Sequence, residues 1–237
     1  MLRRQLRFEK IVTADFILNK RSNNMEQNKY DSLIFDLDGT LWDAVAAVVQ
    51  VWNNAMIKAG LEPNMTYEGL SRCMGLRIEA IFDKVIPQAT REQRDIVKQN
   101  CMSGEQEYLT LNGGLLYDNE ENVLEKLKKE YKLFVVSNCE DTYIQAFFTA
   151  HNMRRFFDDY ECAGRTGKSK AENIKIIAER NGLDNPVYIG DTVLDQQSAK
   201  QAGVDFIFAA YGFGYTEEEC VSIKSFDALI NLLNQKN

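Results

Sequence analysis

The sequence predicts an α/β protein built on a doubly wound parallel sheet, and two observations support this fold class. Short apolar runs, which are typical of buried strands, end in polar turns at several places along the chain. Segments with apolar residues at three-to-four spacing, which is typical of helices, lie between these runs. Strand and helix therefore alternate, and this favours a sheet covered by helices on both faces. The predicted strands are Leu33–Leu37, Lys132–Val136, Pro186–Ile189 and Val204–Ala209.

Three predicted helices in the second half of the chain complete the alternation. In each of them the apolar residues fall on one face, which a helix can pack against a sheet. These apolar positions are Val123, Leu124 and Leu127 in the first helix, Ile174, Ile177 and Ala178 in the second, and Phe226, Leu229, Ile230 and Leu233 in the closing one.

Residues 44–112 interrupt the alternation, because they contain successive helical patterns without a convincing strand. We therefore expect an inserted helical subdomain, 44–112, in a core formed by residues 25–43 and 113–237. Gly113 and Gly114 mark the return to the core. They are interpreted either as a hinge, since glycine adopts backbone angles that most residues avoid, or as a simple loop. The helices predicted in the insertion are Ala44–Ala59, Tyr67–Ser71, Ile78–Val85 and Arg91–Leu109.

Residues 1–24 are expected to be a dispensable extension. Their arginines suggest a transit peptide, but Glu9, Asp15 and the lack of a small-residue cleavage site weaken that interpretation. Met25 begins a hydrophilic lead-in to the first strand, so we expect the native start there. No apolar run approaches the roughly 20 residues of a membrane helix. Five scattered cysteines without a CxxC pair or a secretory signal indicate reduced thiols, so a cytoplasmic location is predicted.

The charge and the histidine count exclude several classes of function. A net charge of −7 argues against general binding of DNA or RNA, which needs clustered Lys and Arg. His151 is the only histidine, which excludes a multi-histidine zinc site and a two-histidine iron site within one chain. Acid–base chemistry must fall to carboxylates or lysines. Small molecules are the predicted partners, whereas the oligomeric state cannot be read from the sequence.

Polar residues follow three of the predicted strands. In a doubly wound sheet, ligands bind beyond the carboxyl ends of the strands, where helix N-termini also present free backbone amides. The three strand ends are therefore expected to converge on one crevice. The residues there are Asp36, Asp38, Gly39 and Thr40 after the first strand, Ser137 and Asn138 after the second, and Gly190, Asp191, Thr192 and Asp195 after the third.

Three carboxylates in this crevice, from Asp36, Asp38 and Asp191, call for a cation, because carboxylates held close together repel one another. Mg²⁺ prefers oxygen ligands in octahedral geometry and fits this set, which contains no histidine. The sequence therefore predicts a Mg²⁺ site. The alternative is that Asp38, Gly39 and Thr40 form an ordinary turn in which Thr40 caps the next helix.

Four motifs in this order carry a resemblance to a known family. They are DLDGT after an apolar strand, then SN, then a lysine, then GDTVLD. This set resembles the haloacid dehalogenase-like phosphatases, of the phosphoglycolate phosphatase and β-phosphoglucomutase-like kind, and the resemblance covers nearly everything after Met25. It implies a Rossmann-like core, and the helical insertion matches the cap that closes over the core in that family.

The resemblance also implies roles for individual residues. Asp36 would be the nucleophile that forms an aspartyl-phosphate, and Asp38 would be the general acid and then the general base. Asp36, Asp191 and the backbone carbonyl of Asp38 would bind Mg²⁺, and Asp195 would orient neighbouring groups from outside the metal's own ligands. The resemblance further implies that Ser137, Asn138 and Thr40 bind the substrate phosphate. It also implies that the lysine of the third motif is Lys170 rather than Lys168.

Substrate choice is expected to depend on the insertion. Its turn from Arg72 to Arg77 could direct Arg72 toward an anionic tail of the substrate, or the arginines could lie on the surface. The predicted function is Mg²⁺-dependent hydrolysis of a small phosphomonoester, such as phosphoglycolate, a sugar phosphate or a nucleoside monophosphate. A β-phosphoglucomutase-like phosphotransferase and a pyrophosphatase are alternatives within the family. From another class, a phosphorylation-controlled binding module would also use a strand-end aspartate.

Overall fold

A central parallel sheet dominates the structure. The computed structural model describes residues 29–234, so the predicted extension at residues 1–24 lies outside the described residues. Eight strands are present in the described part of the chain. They are β1 (Ser32–Phe35), β2 (Trp42–Asp43), β3 (Leu115–Leu116), β4 (Lys132–Ser137), β5 (Asp159–Cys162), β6 (Pro186–Gly190), β7 (Asp205–Ala209) and β8 (Val221–Ile223).

The described residues form ten α-helices, of which five have ten residues or more. The helices are α1 (Val45–Lys58), α2 (Tyr67–Ser71), α3 (Ile78–Val85), α4 (Arg91–Asn112), α5 (Glu120–Leu127), α6 (Asp141–Ala150), α7 (Ala163–Thr166), α8 (Lys170–Asn181), α9 (Val193–Ala202) and α10 (Ala228–Leu233), with a 3₁₀ turn at Met153–Arg155.

The six-stranded sheet has the order β5-β4-β1-β6-β7-β8, and every neighbouring pair in it is parallel. The first strand lies in the middle, where Phe35 is in register with Val135 on one side and with Ile189 on the other. The strand order reverses at β1, and such a switch point is where a doubly wound sheet binds its ligands. The predicted fold class is therefore confirmed.

Side chains of the central strands alternate between two apolar layers. Leu33 and Phe35 of β1 belong to the larger core, whereas Ile34 packs in a second cluster with Phe134 and Tyr188 on the opposite face. All five are fully buried, and each such side chain contributes roughly 1.5–3 kcal/mol when it leaves water. Burial on both faces explains why these strands have continuous apolar sequences.

The insertion leaves and rejoins the core at one place. Strand β2 pairs with β3 in antiparallel register, Trp42 opposite Leu116, so the entering and returning segments lie side by side. Between them α1 to α4 follow the predicted helices closely. The long helix α4 packs against α1 and against the core helix α6, which ties the insertion to the core.

Gly113 ends α4 in a conformation that favours glycine. Its φ is +70°, and a Cβ there would lie 2.5 Å from His151 Nε2. A side chain at this position would therefore be strained by both the backbone and the close contact. The structure explains the need for glycine, and the role of Gly113 as a hinge stays a prediction.

Two strands of the six-stranded sheet, β5 and β8, were not predicted from the sequence, and neither were the short strands β2 and β3. Both β5 and β8 lie at sheet edges, where one side of the strand has no neighbouring strand in the described residues. The sequence of β5, Asp-Tyr-Glu-Cys, lacks the apolar run that marks the central strands, and β8 has only three residues. Edge strands need fewer apolar side chains, because they are buried less completely.

None of the helices between residues 29 and 234 is both long enough and apolar enough to cross a membrane.

Candidate active site

Asp36 lies directly after β1 at the carboxyl end of the sheet. Its backbone amide donates a 2.8 Å hydrogen bond to the carbonyl of Ile189, which continues the pairing with β6, and the residue is only 1% exposed. Burial and the neighbouring Asp195 raise the pKa of Asp36 to about 7, and Lys170 opposes this rise. A carboxylate in this environment is stabilised only by positive charge nearby.

Lys170 supplies that charge. It is the first residue of α8, whose N-terminus is closed by a capping box between Ser169 and Glu172. The Nζ atom lies 2.9 Å from Asp36 Oδ1 and 2.6 Å from Asp195 Oδ1. Burial lowers the pKa of this lysine, but the two carboxylates outweigh burial and raise it, so the side chain stays protonated. Lys168, the other candidate, is exposed.

Asp191 and Asp195 complete a buried group of three carboxylates with Asp36. One oxygen from each of the three lies within 4.8 Å of the others. Burial, followed by the charges of Asp195 and Asp36, raises the pKa of Asp191 well above its usual range. This group could hold a metal ion, because bringing three carboxylates together in a buried site is unfavourable without a cation.

The hydrogen bonds distinguish the three carboxylates. Both oxygens of Asp195 are occupied, Oδ1 by Lys170 and Oδ2 by the amide and hydroxyl of Thr192. Asp191 Oδ2 accepts from the Phe213 amide, whereas its buried Oδ1 has no hydrogen-bond donor among the described residues. Asp36 Oδ1 is paired with Lys170, whereas Asp36 Oδ2 has no hydrogen-bond partner in the described part of the chain. The free lone pairs thus belong to Asp36 and Asp191, and these oxygens are suited to bind a cation.

Gly39 lets the first loop approach this group closely. Its φ is +81°, and a Cβ there would lie 2.1 Å from Asp191 Oδ2. Only glycine leaves the space that the carboxylate of Asp191 occupies. Gly39 of DLDGT is therefore needed where the first loop packs against Asp191, which follows β6.

Asp38 lies in a different environment, although it is two residues from Asp36. Its Oδ1 accepts a 3.0 Å hydrogen bond from Trp42 Nε1 and a 2.7 Å hydrogen bond from the hydroxyl of Tyr143. Burial raises the pKa of Asp38 to about 6, although both hydrogen bonds oppose that rise. A carboxyl group with such a pKa can both donate and accept a proton near neutral pH.

Trp42 and Tyr143 were not assigned to the site from the sequence. Trp42 is fully buried and also packs edge-on against Tyr143, with 5.5 Å between ring centroids. An aromatic residue two positions after DLDGT is a weak signal for Trp42, because aromatic residues also serve to anchor a chain segment. Tyr143 lies on α6, far along the chain, and has no sequence signal that links it to Asp38.

The residues predicted to bind phosphate lie at the same edge of the sheet. Ser137 ends β4 and is 4% exposed, and its hydroxyl accepts a 3.4 Å hydrogen bond from the Cys139 amide. Asn138 Nδ2 donates a 2.8 Å hydrogen bond to the carbonyl of Gly75 in the insertion. Thr40 is fully buried, and its Oγ1 has no hydrogen-bond partner among the described residues.

A pocket opens beside Asp38, between the core and the insertion. Its empty volume is about 650 Å³, including the open mouth. Core residues at its floor include Asp38, Ser137 and Tyr143, whereas Trp52 and Glu105 come from the insertion. Side chains of both parts therefore line one pocket.

Arg72 does not reach this pocket. It is exposed at the C-terminal end of α2, and it is absent from the pocket lining. Arg77, at the other end of the same turn, is also exposed and donates to the carbonyl of Gly167. The backbone turn at Gly75 faces the core instead, since its carbonyl accepts from Asn138.

Comparison with known proteins identifies the family. The chain matches the model of the haloacid dehalogenase-like hydrolases over residues 33–209, which is more than half of its length. The chain belongs to the haloacid dehalogenase-like hydrolases. The matched range contains the carboxylates of the site and Lys170. Both the resemblance drawn from the four motifs and the prediction of an enzyme of this family are confirmed.

Individual relatives of this hydrolase are distant in sequence. The phosphoglycolate phosphatase of Aliivibrio fischeri is 26% identical over 197 residues, covering 78% of this chain and 86% of the relative. The phosphoglycolate phosphatase of Aquifex aeolicus is 24% identical over 189 residues, covering 76% of this chain and 85% of the relative. The similarity therefore extends over most of both chains.

Solved structures share the fold of this haloacid dehalogenase-like hydrolase. The crystal structure of a predicted phosphoglycolate phosphatase from Haemophilus somnus superposes with a TM-score of 0.77 at 20% identity, covering 86% of this chain and 98% of that one. A haloacid dehalogenase-like family protein from Streptococcus pneumoniae gives a TM-score of 0.74, also at 20% identity, with coverage of 86% and 99%. At this level of identity the likeness establishes the fold.

Proposed function

We propose that this hydrolase is a Mg²⁺-dependent phosphomonoesterase that works through an aspartyl-phosphate on Asp36. The observation that carries the proposal is the contrast between two carboxylates two residues apart. Asp36 lies beside Lys170 and two further carboxylates, whereas Asp38 is held by Trp42 and Tyr143 at the floor of the pocket. Different environments suit the two groups to different tasks, one as nucleophile and one as acid and base.

Mg²⁺ fits the donor set. Asp36 Oδ2 and Asp191 Oδ1 are buried and receive no hydrogen bond from the residues that the structure describes, and oxygen is the ligand that Mg²⁺ prefers. We assign the metal ligands to the carboxylates of Asp36 and Asp191 and to the backbone carbonyl of Asp38. Asp195 orients Lys170 and Thr192, since both of its oxygens are already hydrogen-bonded. A bound Mg²⁺ would neutralise negative charge on the phosphate and on the nucleophile.

In the first half-reaction a carboxylate oxygen of Asp36 attacks phosphorus. The new bond joins that oxygen to phosphorus, and the bond between phosphorus and the ester oxygen breaks. The carboxyl group of Asp38 gives its proton to the departing ester oxygen, so the alcohol leaves neutral. Lys170 stabilises the charge that develops on the oxygens between Asp36 and phosphorus.

In the second half-reaction Asp38 acts as the base. Its carboxylate takes a proton from water, and the water oxygen attacks phosphorus and displaces the oxygen of Asp36. Inorganic phosphate is released, and both aspartates return to their initial states. Ser137, the Asn138 amide and Thr40 would bind the phosphate oxygens during both steps, which is supported by their position at the carboxyl edge of the sheet.

Residues 44–112 would act as a cap over the core formed by residues 25–43 and 113–237. The pocket between the insertion and the sheet supports this division, because residues of both parts line it. The hydrogen bond from Asn138 to Gly75 supports a closed arrangement, in which water has little access to Asp36. Gly113 would then serve as one of the hinges.

The relatives named phosphoglycolate phosphatases support a small phosphorylated metabolite as the substrate. The test is phosphate release from a panel of phosphate esters and pyrophosphate, with Mg²⁺ and with EDTA. Wild type is compared with Asp36→Asn and with the control Asp184→Asn. Asp184 is exposed and lies just before β6, at the amino ends of the strands and away from Asp36. We expect Mg²⁺-dependent release that falls at least about 10³-fold in Asp36→Asn and is retained in Asp184→Asn.

Other outcomes would point elsewhere. Release from pyrophosphate alone would identify a pyrophosphatase. Transfer of phosphate to a sugar without net release would identify a phosphotransferase. Stable phosphorylation of Asp36 without turnover would favour a binding module controlled by phosphorylation. Full activity in Asp36→Asn would overturn the proposal.

A further inference from the structure

The wall of the pocket opposite the reacting groups is mostly apolar. It is formed by side chains of α1, of the turn after α2, and of α3, among them Val48, Leu76 and Ile81. Trp52 of α1 closes this wall and is 4% exposed. The alcohol part of a substrate whose phosphate lies at Asp36 would therefore extend past Asp38 into this space.

The charged residues in the lining all carry the same sign. They are Asp38, Glu105 and Glu140, and no lysine or arginine is among the lining residues that the structure describes. Lys98 is near Glu140, at 3.8 Å, but it also contacts Glu79 at 3.1 Å and is thus shared between two carboxylates. No cationic side chain of the described lining residues therefore offsets these carboxyl groups when they ionise.

Glu105 and Trp52 are joined within this wall. Trp52 Nε1 donates a 2.7 Å hydrogen bond to Glu105 Oε1, which fixes the carboxylate beside the indole ring. Burial raises the pKa of Glu105 to about 8, and the nearby charges of Asp38 and Glu140 add to the rise, so without a cation beside it this carboxyl group holds a proton near neutral pH. A carboxylate beside an aromatic ring is a favourable environment for an ammonium group, which gains both charge pairing and cation–π attraction.

We propose that the alcohol part of the substrate carries an ammonium group and that Glu105 binds this group next to Trp52. The inference rests on the proposed phosphatase function and names the substrate class of the same site. An ammonium group beside Glu105 would favour the ionised form of this carboxyl group and would pair with it. A carboxylate at the same position would meet only carboxyl groups among the charged lining residues that the structure describes, and Arg72 is exposed outside the pocket.

The test compares three esters of nearly equal size. O-Phosphoethanolamine carries an ammonium group, propyl phosphate has a methyl group in its place, and 2-phosphoglycolate carries a carboxylate. We expect kcat/KM for O-phosphoethanolamine to exceed that for propyl phosphate by at least about tenfold, with 2-phosphoglycolate the poorest of the three. Equal values for the first two esters, or a preference for 2-phosphoglycolate, would overturn the inference.

Variants on α4 separate the effect of Glu105 from general effects on activity. Glu105→Gln keeps an oxygen that can accept from Trp52 but removes the charge. We expect it to reduce the preference for O-phosphoethanolamine over propyl phosphate about tenfold, whereas Glu107→Gln, at an exposed position of the same helix, keeps the preference. An unchanged ratio in Glu105→Gln would contradict the assignment of Glu105.

p-Nitrophenyl phosphate distinguishes failure of the inference from failure of the proposed function. Its leaving group departs readily, so it reports phosphatase activity without a demand for ammonium binding. Activity on this ester without preference for O-phosphoethanolamine would overturn only the substrate class. Absence of activity on all four esters in the presence of Mg²⁺ would overturn the proposed function itself.

Discussion

Lys170 Nζ lies 2.9 Å from Asp36 Oδ1, and both side chains are 1% exposed. The same Nζ atom lies 2.6 Å from Asp195 Oδ1, so one buried cation is shared by two carboxylates from different strand ends. Removing one partner from a buried ion pair leaves an unpaired buried charge. This lowers the free energy of unfolding more than the loss of an exposed ion pair does. The geometry therefore gives Lys170 a role that an exposed lysine could not fill.

Replacing Lys170 is expected to abolish most activity. In Lys170→Met the charge that opposes the raised pKa of Asp36 is lost, so the nucleophile becomes harder to ionise and phosphate is bound less well. We expect phosphate release per folded molecule to fall at least about 100-fold. Lys168→Met is the matched control, because Lys168 is exposed two residues away. Equal losses in both variants would contradict the assignment of the motif lysine to Lys170.

Tyr143 is expected to act as a positioning residue for Asp38. Tyr143→Phe removes the 2.7 Å hydrogen bond and leaves the one from Trp42. Because a misplaced acid matters most when the leaving group needs a proton, we expect hydrolysis of alkyl phosphates to slow about tenfold and that of p-nitrophenyl phosphate to change much less. Tyr108→Phe, at an exposed position, serves as control. Equal slowing of both kinds of ester would indicate a purely structural role.

Mg²⁺ binding is expected to stabilise the fold through Asp191. A ligand at 100 times its dissociation constant adds about 2.7 kcal/mol to the free energy of unfolding, so the melting temperature should rise by several degrees. The melting temperature of Asp191→Asn should not respond to Mg²⁺. Without Mg²⁺ this variant should be at least as stable as wild type, because it lacks one of the three buried carboxyl groups. Scanning calorimetry with and without EDTA measures both effects. Asp184→Asn should respond like wild type, and a full response in Asp191→Asn would exclude it as a ligand.

Glu120 should make stability depend on pH. It is 2% exposed, and burial raises its pKa well above the usual 4.5. A carboxyl group with a raised pKa in the folded state favours folding below the pKa of the unfolded chain, and this contribution is lost as the pH rises through the folded pKa. Wild type should therefore lose stability between about pH 5 and pH 8 more than Glu120→Gln does.

Urea unfolding at the two pH values measures this difference. At pH 8 we expect Glu120→Gln to be about 1–2 kcal/mol more stable than wild type, because Gln needs no proton to stay neutral. The backbone amide of Tyr117, which donates to Glu120, would retain an acceptor. Glu125→Gln, on the exposed side of the same helix, should behave like wild type at both pH values. A pH dependence that is identical in Glu120→Gln and wild type would contradict the prediction.

The sequence alone identified the central strands, the helices of the insertion and the family. Each of these depends on local information, such as an apolar run of a few residues, a three-to-four periodicity or a motif like DLDGT. The positions of Asp36, Ser137 and Asp191 at neighbouring strand ends also followed, because parallel strands bring their carboxyl ends to one edge. The edge strands β5 and β8 were not predicted, because an edge strand is less buried and has a weaker apolar pattern.

Only the tertiary structure decided which side chains surround each carboxylate. Tyr143 and Asp38 are 105 residues apart, and their hydrogen bond depends on how α6 packs behind the first loop. Packing likewise placed Lys170 in the site and left Lys168 and Arg72 exposed, and it joined Trp52 to Glu105 in the pocket wall. The chain's periodicity fixes local conformation, whereas contacts between distant residues arise from the packing of whole elements, which no short stretch of sequence contains.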